Sequence, residues 1–158
     1  MLGCTAVLSA LGISRTSAWP WAPLTSPPEF MQTCMGHATR LMREQGISRI
    51  VVISAGGVGD SAGDLPPGFA WLVRHSSIGA AYRGHEDSER VLRQSGLDWT
   101  ALRPSALRDR EHAGEVVLSY HGQPKPRPWI SRETLAGLML DVLDDDSLIG
   151  RAPTVSQR

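Results

Sequence analysis

Residues 49–68 decide the fold class: RIVVIS at 49–54 is followed directly by AGGVGDSAGDLPPG at 55–68. The first segment is a continuous apolar, β-branched run, which is typical of a parallel strand covered on both faces. The second segment is rich in glycine and proline, which predicts a turn. A buried parallel strand is therefore expected to end at Ser54.

Strand and helix signals alternate on both sides of this stretch. Further strands are predicted at 5–10, 97–102, 116–120 and 152–156, and helices at 29–45, at 77–94 and from Ser131 onward. This alternation favours an α/β fold, a partial Rossmann-type, doubly wound parallel sheet of about three core strands plus short C-terminal strands. One domain is expected over residues 1–158, with a long proline-rich loop at 13–28.

The composition argues against several classes of partner. Lys and Arg together number 16, as do Asp and Glu, so no net charge attracts a nucleic acid or an anionic membrane surface. Cys4 and Cys34 form no C-x-x-C pair, and the five histidines lack zinc-ligand spacing. We therefore expect a cytoplasmic protein with no nucleic-acid partner, no membrane span and no metal.

The sequence resembles the atypical short-chain dehydrogenase/reductases, a family that includes NmrA-like proteins and flavin/biliverdin reductases. The segments that carry the resemblance are AVLSALG at 6–12, RIVVIS with the AGG after it, AAYRGHEDSERVLRQSGLDWTALRPSAL at 80–107 and WISRETLAGLMLDVLDD at 129–145. The block SGLDWTALRP at 95–104 is the most specific of them. The resemblance implies an NAD(P)H cofactor, with a slight preference for NADP, and a small-molecule substrate.

One element of that family is missing from this sequence. Its members open with a strand and a G-x-x-G-x-x-G turn, which holds the cofactor pyrophosphate at a helix N-terminus. The chain has no such motif, so it is expected to be the C-terminal portion of a longer domain, truncated in front of residue 5. The strand at 5–10 then lacks a neighbour, and self-association through this exposed sheet edge is expected.

Candidate site residues follow from the carboxyl ends of the predicted strands, where ligands of open α/β sheets bind. The resemblance places Leu11 and Gly12 beneath the nicotinamide ribose and pyrophosphate, Ser54 on the reducible group, and Pro104 with Ser105 beside the nicotinamide. The predicted cofactor-binding residues are Leu11, Gly12, Ser54, Ala55, Arg103, Pro104 and Ser105. A hydroxyl that only satisfies a strand-end amide is the competing interpretation of Ser54.

Tyr82 is the second catalytic candidate, as the tyrosine of a Y-x-x-x-K motif. The lysine is absent and Glu86 stands in its place, so a raised phenol pKa and a packing role are the alternative. His85 could act as an acid or be a satisfied core group. For Glu89 a structural hydrogen bond to the strand-end loop is expected rather than proton transfer.

Two smaller groups of residues leave alternatives open. Gly56, Gly57 and Gly59 form a turn beside the site rather than a phosphate loop, because the run is too short for the fingerprint. Trp19, Trp21 and Trp129 either cover a hydrophobic substrate or fix loops to the core.

Two functions follow from these residues and motifs. The first is an NAD(P)H-dependent oxidoreductase that, when complete, transfers hydride to an aromatic or conjugated acceptor such as a flavin or quinone. The second is a non-catalytic, NmrA-like nucleotide-sensing or interaction module, or an inactive fragment.

Overall fold

A computed structural model describes residues 3–109 and 114–158 of the chain. Its strands are β1 (Ala6–Ser9), β2 (Arg49–Ile53), β3 (Asp98–Pro104), β4 (Ala106–Arg108), β5 (Val116–Ser119), β6 (Trp129–Ser131) and β7 (Thr154–Gln157). Its α-helices are α1 (Phe30–Glu44), α2 (Pro67–His75), α3 (Ile78–Arg93) and α4 (Arg132–Asp141). Short 3-10 turns lie at Gly59–Asp64, Val142–Asp144 and Asp146–Leu148.

The main sheet has five strands in the order β1-β2-β3-β7-β5. Strands β1, β2, β3 and β7 are parallel, and β5 pairs antiparallel with β7 at the far edge. Strands β4 and β6 form a separate two-stranded parallel sheet. The predicted α/β fold with a core of parallel strands is confirmed.

The residues of β2 alternate between two hydrophobic cores. Ile50 and Val52 pack with residues of α1 and α3 on one face of the sheet. Val51 packs with Leu135 and Met139 of α4 on the other face. Ile50 and Val51 are fully buried, so the β-branched run is covered on both faces, as its sequence predicted.

Two parts of the structure were not predicted. Helix α2 follows a Pro-Pro-Gly stretch that indicates a turn, but Pro67 is the first helical residue, where a missing N–H costs nothing. None of the α2 residues is buried, so no apolar stripe marks this helix in the sequence. Strands β4 and β6 have three residues each, which is too short for a periodicity signal.

The apolar residues of the run at 5–10 also predict a buried strand, and this part of the prediction was wrong. Strand β1 lies at the edge of the sheet with β2 as its partner, and Leu8 is 41% exposed. The edge position itself agrees with the exposed sheet edge that was expected, whereas the apolar run at 5–10 did not show how much of the strand is covered.

The described part of the chain contains neither a helix that could span a membrane nor a group of side chains that could bind a metal. Among residues 3–109 and 114–158, no helix is long and apolar enough to span a bilayer. Nor do these residues bring together a group of His, Cys, Asp or Glu side chains that could hold a metal ion.

Candidate functional site

The carboxyl ends of β2 and β3 are joined by backbone hydrogen bonds that continue past the end of β2. The N–H of Ser54 donates to the carbonyl of Leu102 at 2.7 Å, and the N–H of Gly56 donates to that of Pro104 at 2.9 Å. These bonds hold residues 54–56 against the end of β3. This edge of the sheet is the one at which open α/β folds bind their ligands.

A buried polar cluster lies at this edge, on the face covered by α3. Ser54 Oγ donates to Glu89 Oε1 at 2.7 Å. Arg103 Nε donates to the same oxygen at 2.9 Å, and its Nη2 donates to Glu89 Oε2 at 2.7 Å. The three side chains are between 1% and 4% exposed. Strand alternation explains why the Arg103 side chain reaches Glu89. Every second residue of a strand points to the same face of the sheet, and Trp99 and Ala101, four and two residues before Arg103, pack on the face covered by α3.

Two further residues complete what we call the Glu89–Arg103 cluster. Asp60 Oδ1 accepts from Arg103 Nη1 at 2.6 Å, and Arg93 Nη2 donates to Glu89 Oε2 at 3.3 Å. Burial alone would raise the pKa of Glu89, but hydrogen bonds from Arg103 and Ser54 and the charges of Arg103 and Arg93 hold it below its usual value. Glu89 is therefore an anion whose oxygens are occupied by donors, as expected for a structural rather than proton-transferring carboxylate.

A narrow cleft lies beside this cluster, between the ends of β1 and β2 and helices α1 and α3. Its apolar walls include Leu11, Met31 and Met35, and its polar lining includes Ser54, His85 and Ser88. The remaining lining residues are Ser9, Val52, Ile53 and Glu89. We refer to this space as the strand-end cleft.

Two side chains in the strand-end cleft have unusual environments. The Oγ of Ser88, a residue only 5% exposed, has no hydrogen-bond partner among residues 3–109 and 114–158. Burial lowers the pKa of His85 to about 4, although the negative charge of Glu89 opposes this shift. His85 is therefore neutral near pH 7, with one ring nitrogen able to donate a hydrogen bond and the other able to accept one.

Tyr82 lies outside the strand-end cleft. Its hydroxyl donates to the carbonyl of Gly56 at 3.2 Å, and its ring lines a wider, more open groove with Gly57 and Arg83. Burial raises the pKa of Tyr82, in the expected direction. The expected cause was wrong, because Glu86 is exposed and burial accounts for the shift.

The glycine-rich turn after β2 uses its amides internally. The N–H of Gly57 donates to Ser61 Oγ at 3.0 Å, and that of Val58 donates to the carbonyl of Ala55 at 3.2 Å. Gly57 has a φ of +93°, and a Cβ there would lie 2.4 Å from the side chain of Leu65. These contacts support the interpretation of this segment as a tight turn rather than a phosphate-binding loop.

The predicted cofactor-binding residues take three kinds of position. Leu11 and Ser54 line the strand-end cleft. Gly12 is exposed, and a Cβ built on it would meet nothing within 4 Å, so open space adjoins the end of β1. Pro104 is buried at the end of β3, and Ser105 Oγ donates to the carbonyl of Arg127 at 2.7 Å.

Arg103 does not present its side chain to a ligand in this structure. Its guanidinium is 1% exposed, and its Nε and both Nη atoms donate to Glu89 and Asp60. Ala55 is half-buried within the turn. The predicted contacts of Arg103 and Ala55 with the cofactor therefore stay predictions, and they would be made by backbone atoms of these residues.

The three tryptophans occupy different parts of the molecule. Trp19 and Trp21 lie in the loop at 13–28 with ring centroids 5.5 Å apart, and Trp21 Nε1 donates to the carbonyl of His75 at 2.9 Å. This bond fixes the loop to the end of α2. Trp129 lies on β6, in the separate two-stranded sheet.

Sequence reasoning missed Asp60, Arg93 and Ser88. The i, i+4 spacing of Glu89 and Arg93 was the one available signal, since such pairs face each other on a helix. Asp60 lies in a turn and Ser88 on a helix that contains many polar residues, so neither position stood out.

The site at the sheet edge combines apolar and polar groups around a space of about 10 Å³, which is about the room that one water molecule needs. It has an apolar wall at Leu11, open space beside Gly12 and an unpartnered buried hydroxyl at Ser88. The N–H groups of Gly56, Gly57 and Val58 are used within the protein, so these three amides are not available to a pyrophosphate.

Comparisons with known proteins identify the family and the fold of the chain. The UPF0659 protein C216.03 of Schizosaccharomyces pombe is 35% identical over an alignment of 116 residues, and the match covers 68% of this chain and 46% of that protein. The chain thus spans about half the length of this curated relative.

Two solved structures have the same fold. A short-chain dehydrogenase/reductase of Veillonella parvula, in complex with NADP, superposes with a TM-score of 0.72 at 19% identity, and the match covers 98% of this chain and 63% of that protein. ChuY, an anaerobilin reductase from Escherichia coli O157:H7, gives a TM-score of 0.70 at 19% identity, over 96% of this chain and 63% of that protein.

A family model described as NAD(P)H-binding matches residues 1–146, nearly the whole chain. It confirms NAD(P)H as the cofactor class expected from the sequence, and the shared fold is that of the atypical short-chain dehydrogenase/reductases. The chain belongs to the NAD(P)H-binding family.

Proposed function

We propose that the chain carries the nicotinamide side of the active site of an NAD(P)H-dependent reductase, which transfers hydride to an aromatic or conjugated acceptor such as a flavin or quinone. The observation that carries this proposal is the strand-end cleft, which brings Leu11, Ser54 and His85 together at the ligand-binding edge of the sheet. The name of the similar ChuY protein, a reductase, supports reduction as the reaction class.

The bound dinucleotide supplies the hydride, and the residues of this chain bind and orient the reactants. Leu11 and Gly12 support the nicotinamide ribose, while Pro104 and Ser105 flank the ring. Ser54 polarises the reducible group of the acceptor. In this structure its hydroxyl hydrogen is directed to Glu89, so in this proposal the hydroxyl turns from Glu89 to the acceptor when it polarises that group.

Protonation of the reduced acceptor does not need Tyr82 in this proposal. The tyrosine hydroxyl donates to Gly56 and is absent from the lining of the strand-end cleft, and Glu86 stands where a lysine would lower the phenol pKa. Solvent is the proton source for an acceptor such as a flavin.

A second function is favoured by one observation. The hydroxyls of the two catalytic candidates, Ser54 and Tyr82, both donate to groups within the protein. A chain that binds NAD(P)H without turnover, as a nucleotide-sensing module, would have the same arrangement.

The remaining features of the proposal follow the resemblance and the sequence. The substrate is a small molecule, NADP is preferred slightly over NAD, and the protein acts in the cytoplasm. Residues 1–158 form one domain that belongs to a longer Rossmann unit, so the isolated chain is expected to bind NAD(P)H weakly, without amides that neutralise the pyrophosphate.

Turnover distinguishes the two functions. Oxidation of NADPH is followed by its near-ultraviolet absorbance, with FMN or menadione as the acceptor, for the chain alone and for the chain preceded by a strand, G-x-x-G-x-x-G turn and helix from a relative. Acceptor-dependent oxidation by the extended protein supports the reductase. Binding of NADPH without oxidation supports the sensing module and refutes the reductase.

Two substitutions in the extended protein test the assigned roles. Ser54→Ala should lower turnover about tenfold or more, as for a hydrogen bond of about 1.4 kcal/mol made in the transition state. Tyr82→Phe should change it little. The opposite result, with Tyr82→Phe inactive and Ser54→Ala unaffected, would reverse the assignment.

A further inference from the structure

Ser88 is a buried polar group for which the fold itself gives no reason. A buried hydroxyl without a partner destabilises a folded protein, because it loses its hydrogen bonds to water and gains none in return. Most buried polar side chains are satisfied by protein or water, so each exception needs an explanation. Ser88 Oγ is such an exception, and Ser88 lines the strand-end cleft.

His85 lies one helical turn before Ser88 and lines the same cleft. Residues three apart on a helix point to the same side, so the imidazole and the hydroxyl face the cleft together. The opposite wall is formed by Met31 and Met35 of α1, which offer no strong hydrogen-bonding atoms.

We propose that His85 and Ser88 form a recognition pair that hydrogen-bonds a neutral hydroxyl or carboxamide group of a ligand held in the strand-end cleft. This proposal rests on the proposed function, since the ligand is either the nicotinamide half of the cofactor or the acceptor that it reduces.

The hydrogen-bond donors and acceptors of His85 and Ser88 indicate which ligand group the pair can bind. A serine hydroxyl can both donate and accept, and a neutral imidazole has one donor and one acceptor nitrogen. A hydroxyl or carboxamide matches both residues because it too can donate and accept.

Charge around the cleft favours a neutral group over an ion. Glu89 is the nearby carboxylate in the lining, and its oxygens accept from Ser54, Arg103 and Arg93. A cationic ligand group would compete with these buried donors. An anionic group would lie against the Glu89 carboxylate and the methionine wall, and the described lining residues include no cationic side chain to balance it.

The two possible sources of the group are distinguished by their probes. Reduced nicotinamide mononucleotide contains the nicotinamide and its ribose and lacks the adenosine half. FMN represents the acceptor. Dissociation constants of the 158-residue chain for both probes are measured by NMR titration, which detects weak binding and also reports the His85 ring protons.

Ser88→Ala is the decisive variant. It should weaken binding of one probe about tenfold, equivalent to about 1.4 kcal/mol, while the melting temperature stays the same or rises, because the hydroxyl has no partner to lose. His85→Asn should weaken the same probe. Thr33→Ala and His37→Asn, both at exposed positions on α1, are the matched controls and should leave binding unchanged.

Each outcome decides something. Weaker binding of the reduced mononucleotide assigns the pair to the cofactor, and weaker binding of FMN assigns it to the acceptor. If the wild-type chain binds a probe and the variants at Ser88 and His85 bind it equally well, the recognition pair is refuted while the proposed function stands. If the wild-type chain binds neither probe, the titrations are repeated with the extended protein, and lack of binding there refutes both.

Discussion

Replacing Glu89 with glutamine should destabilise the fold strongly, although the two side chains have nearly the same shape. Both oxygens of Glu89 accept from N–H groups of Arg103, at 2.9 Å and 2.7 Å. A glutamine has one oxygen and one NH₂ group, so in either orientation it sets a donor against a donor of Arg103. The guanidinium is 1% exposed and cannot turn to water.

The magnitude follows from the loss of one partner of a buried ion pair, which costs about 3–5 kcal/mol. Asp60 remains bonded to Arg103 Nη1, so we expect the lower end, about 3 kcal/mol. For a domain of this size, that corresponds to a fall in melting temperature of between about 6 and 12 °C. Urea denaturation followed by circular dichroism gives the free energy of unfolding directly.

Two further variants make the test specific. Glu86→Gln, at an exposed position on the same helix, should change stability by less than about 0.5 kcal/mol. The double variant Glu89→Leu with Arg103→Met should recover much of the loss, because it removes both charges together. Unfolding of Glu89→Gln at the same urea concentration as the wild type would refute this reasoning.

Four other substitutions have defined outcomes. Gly84→Val should lower the free energy of unfolding by about 1–3 kcal/mol, because even its Cβ would lie 2.9 Å from Met31 Sδ. Gly137→Ala should raise the free energy of unfolding by about 0.5–1 kcal/mol in the same urea assay, because its Cβ would meet nothing within 4 Å. His85→Asn should flatten the pH dependence of the free energy of unfolding. The pKa of His85 is about 4 in the folded protein against an ordinary value of 6.5, so the unfolded wild-type chain takes up a proton first as the pH falls. Between those two values the stability of the wild type therefore falls by up to about 1.4 kcal/mol per pH unit. Leu8→Lys should reduce self-association through the edge of β1 in light-scattering chromatography, and a wild type that is monomeric at all concentrations would contradict the edge argument.

The fold was largely predictable because its signals are local. The β-branched run of β2 and the helical spacing of apolar residues in α1 and α3 depend only on which faces are buried. Helix α2 was missed because it buries no residue, so it has no apolar stripe to detect.

The site was less predictable because it depends on which side chains meet across elements. Ser54 could be placed at the end of β2 from its position alone. The partners of the Arg103 side chain were not predicted, although its phase with Trp99 and Ala101 in β3 already placed it on the α3 face. That Glu89, and not another polar residue of α3, would lie opposite required the packing of α3 on the sheet.

The central claim, that the nicotinamide side of the cofactor binds at the carboxyl ends of β1 and β2, is tested most directly by mapping chemical shifts of the isotope-labelled chain during titration with NADPH. We expect the largest changes to cluster at Leu11, Ser54, His85 and Ser88, with smaller ones at Pro104. Changes centred instead on the small sheet of β4 and β6, or no changes at saturating NADPH, would contradict the claim.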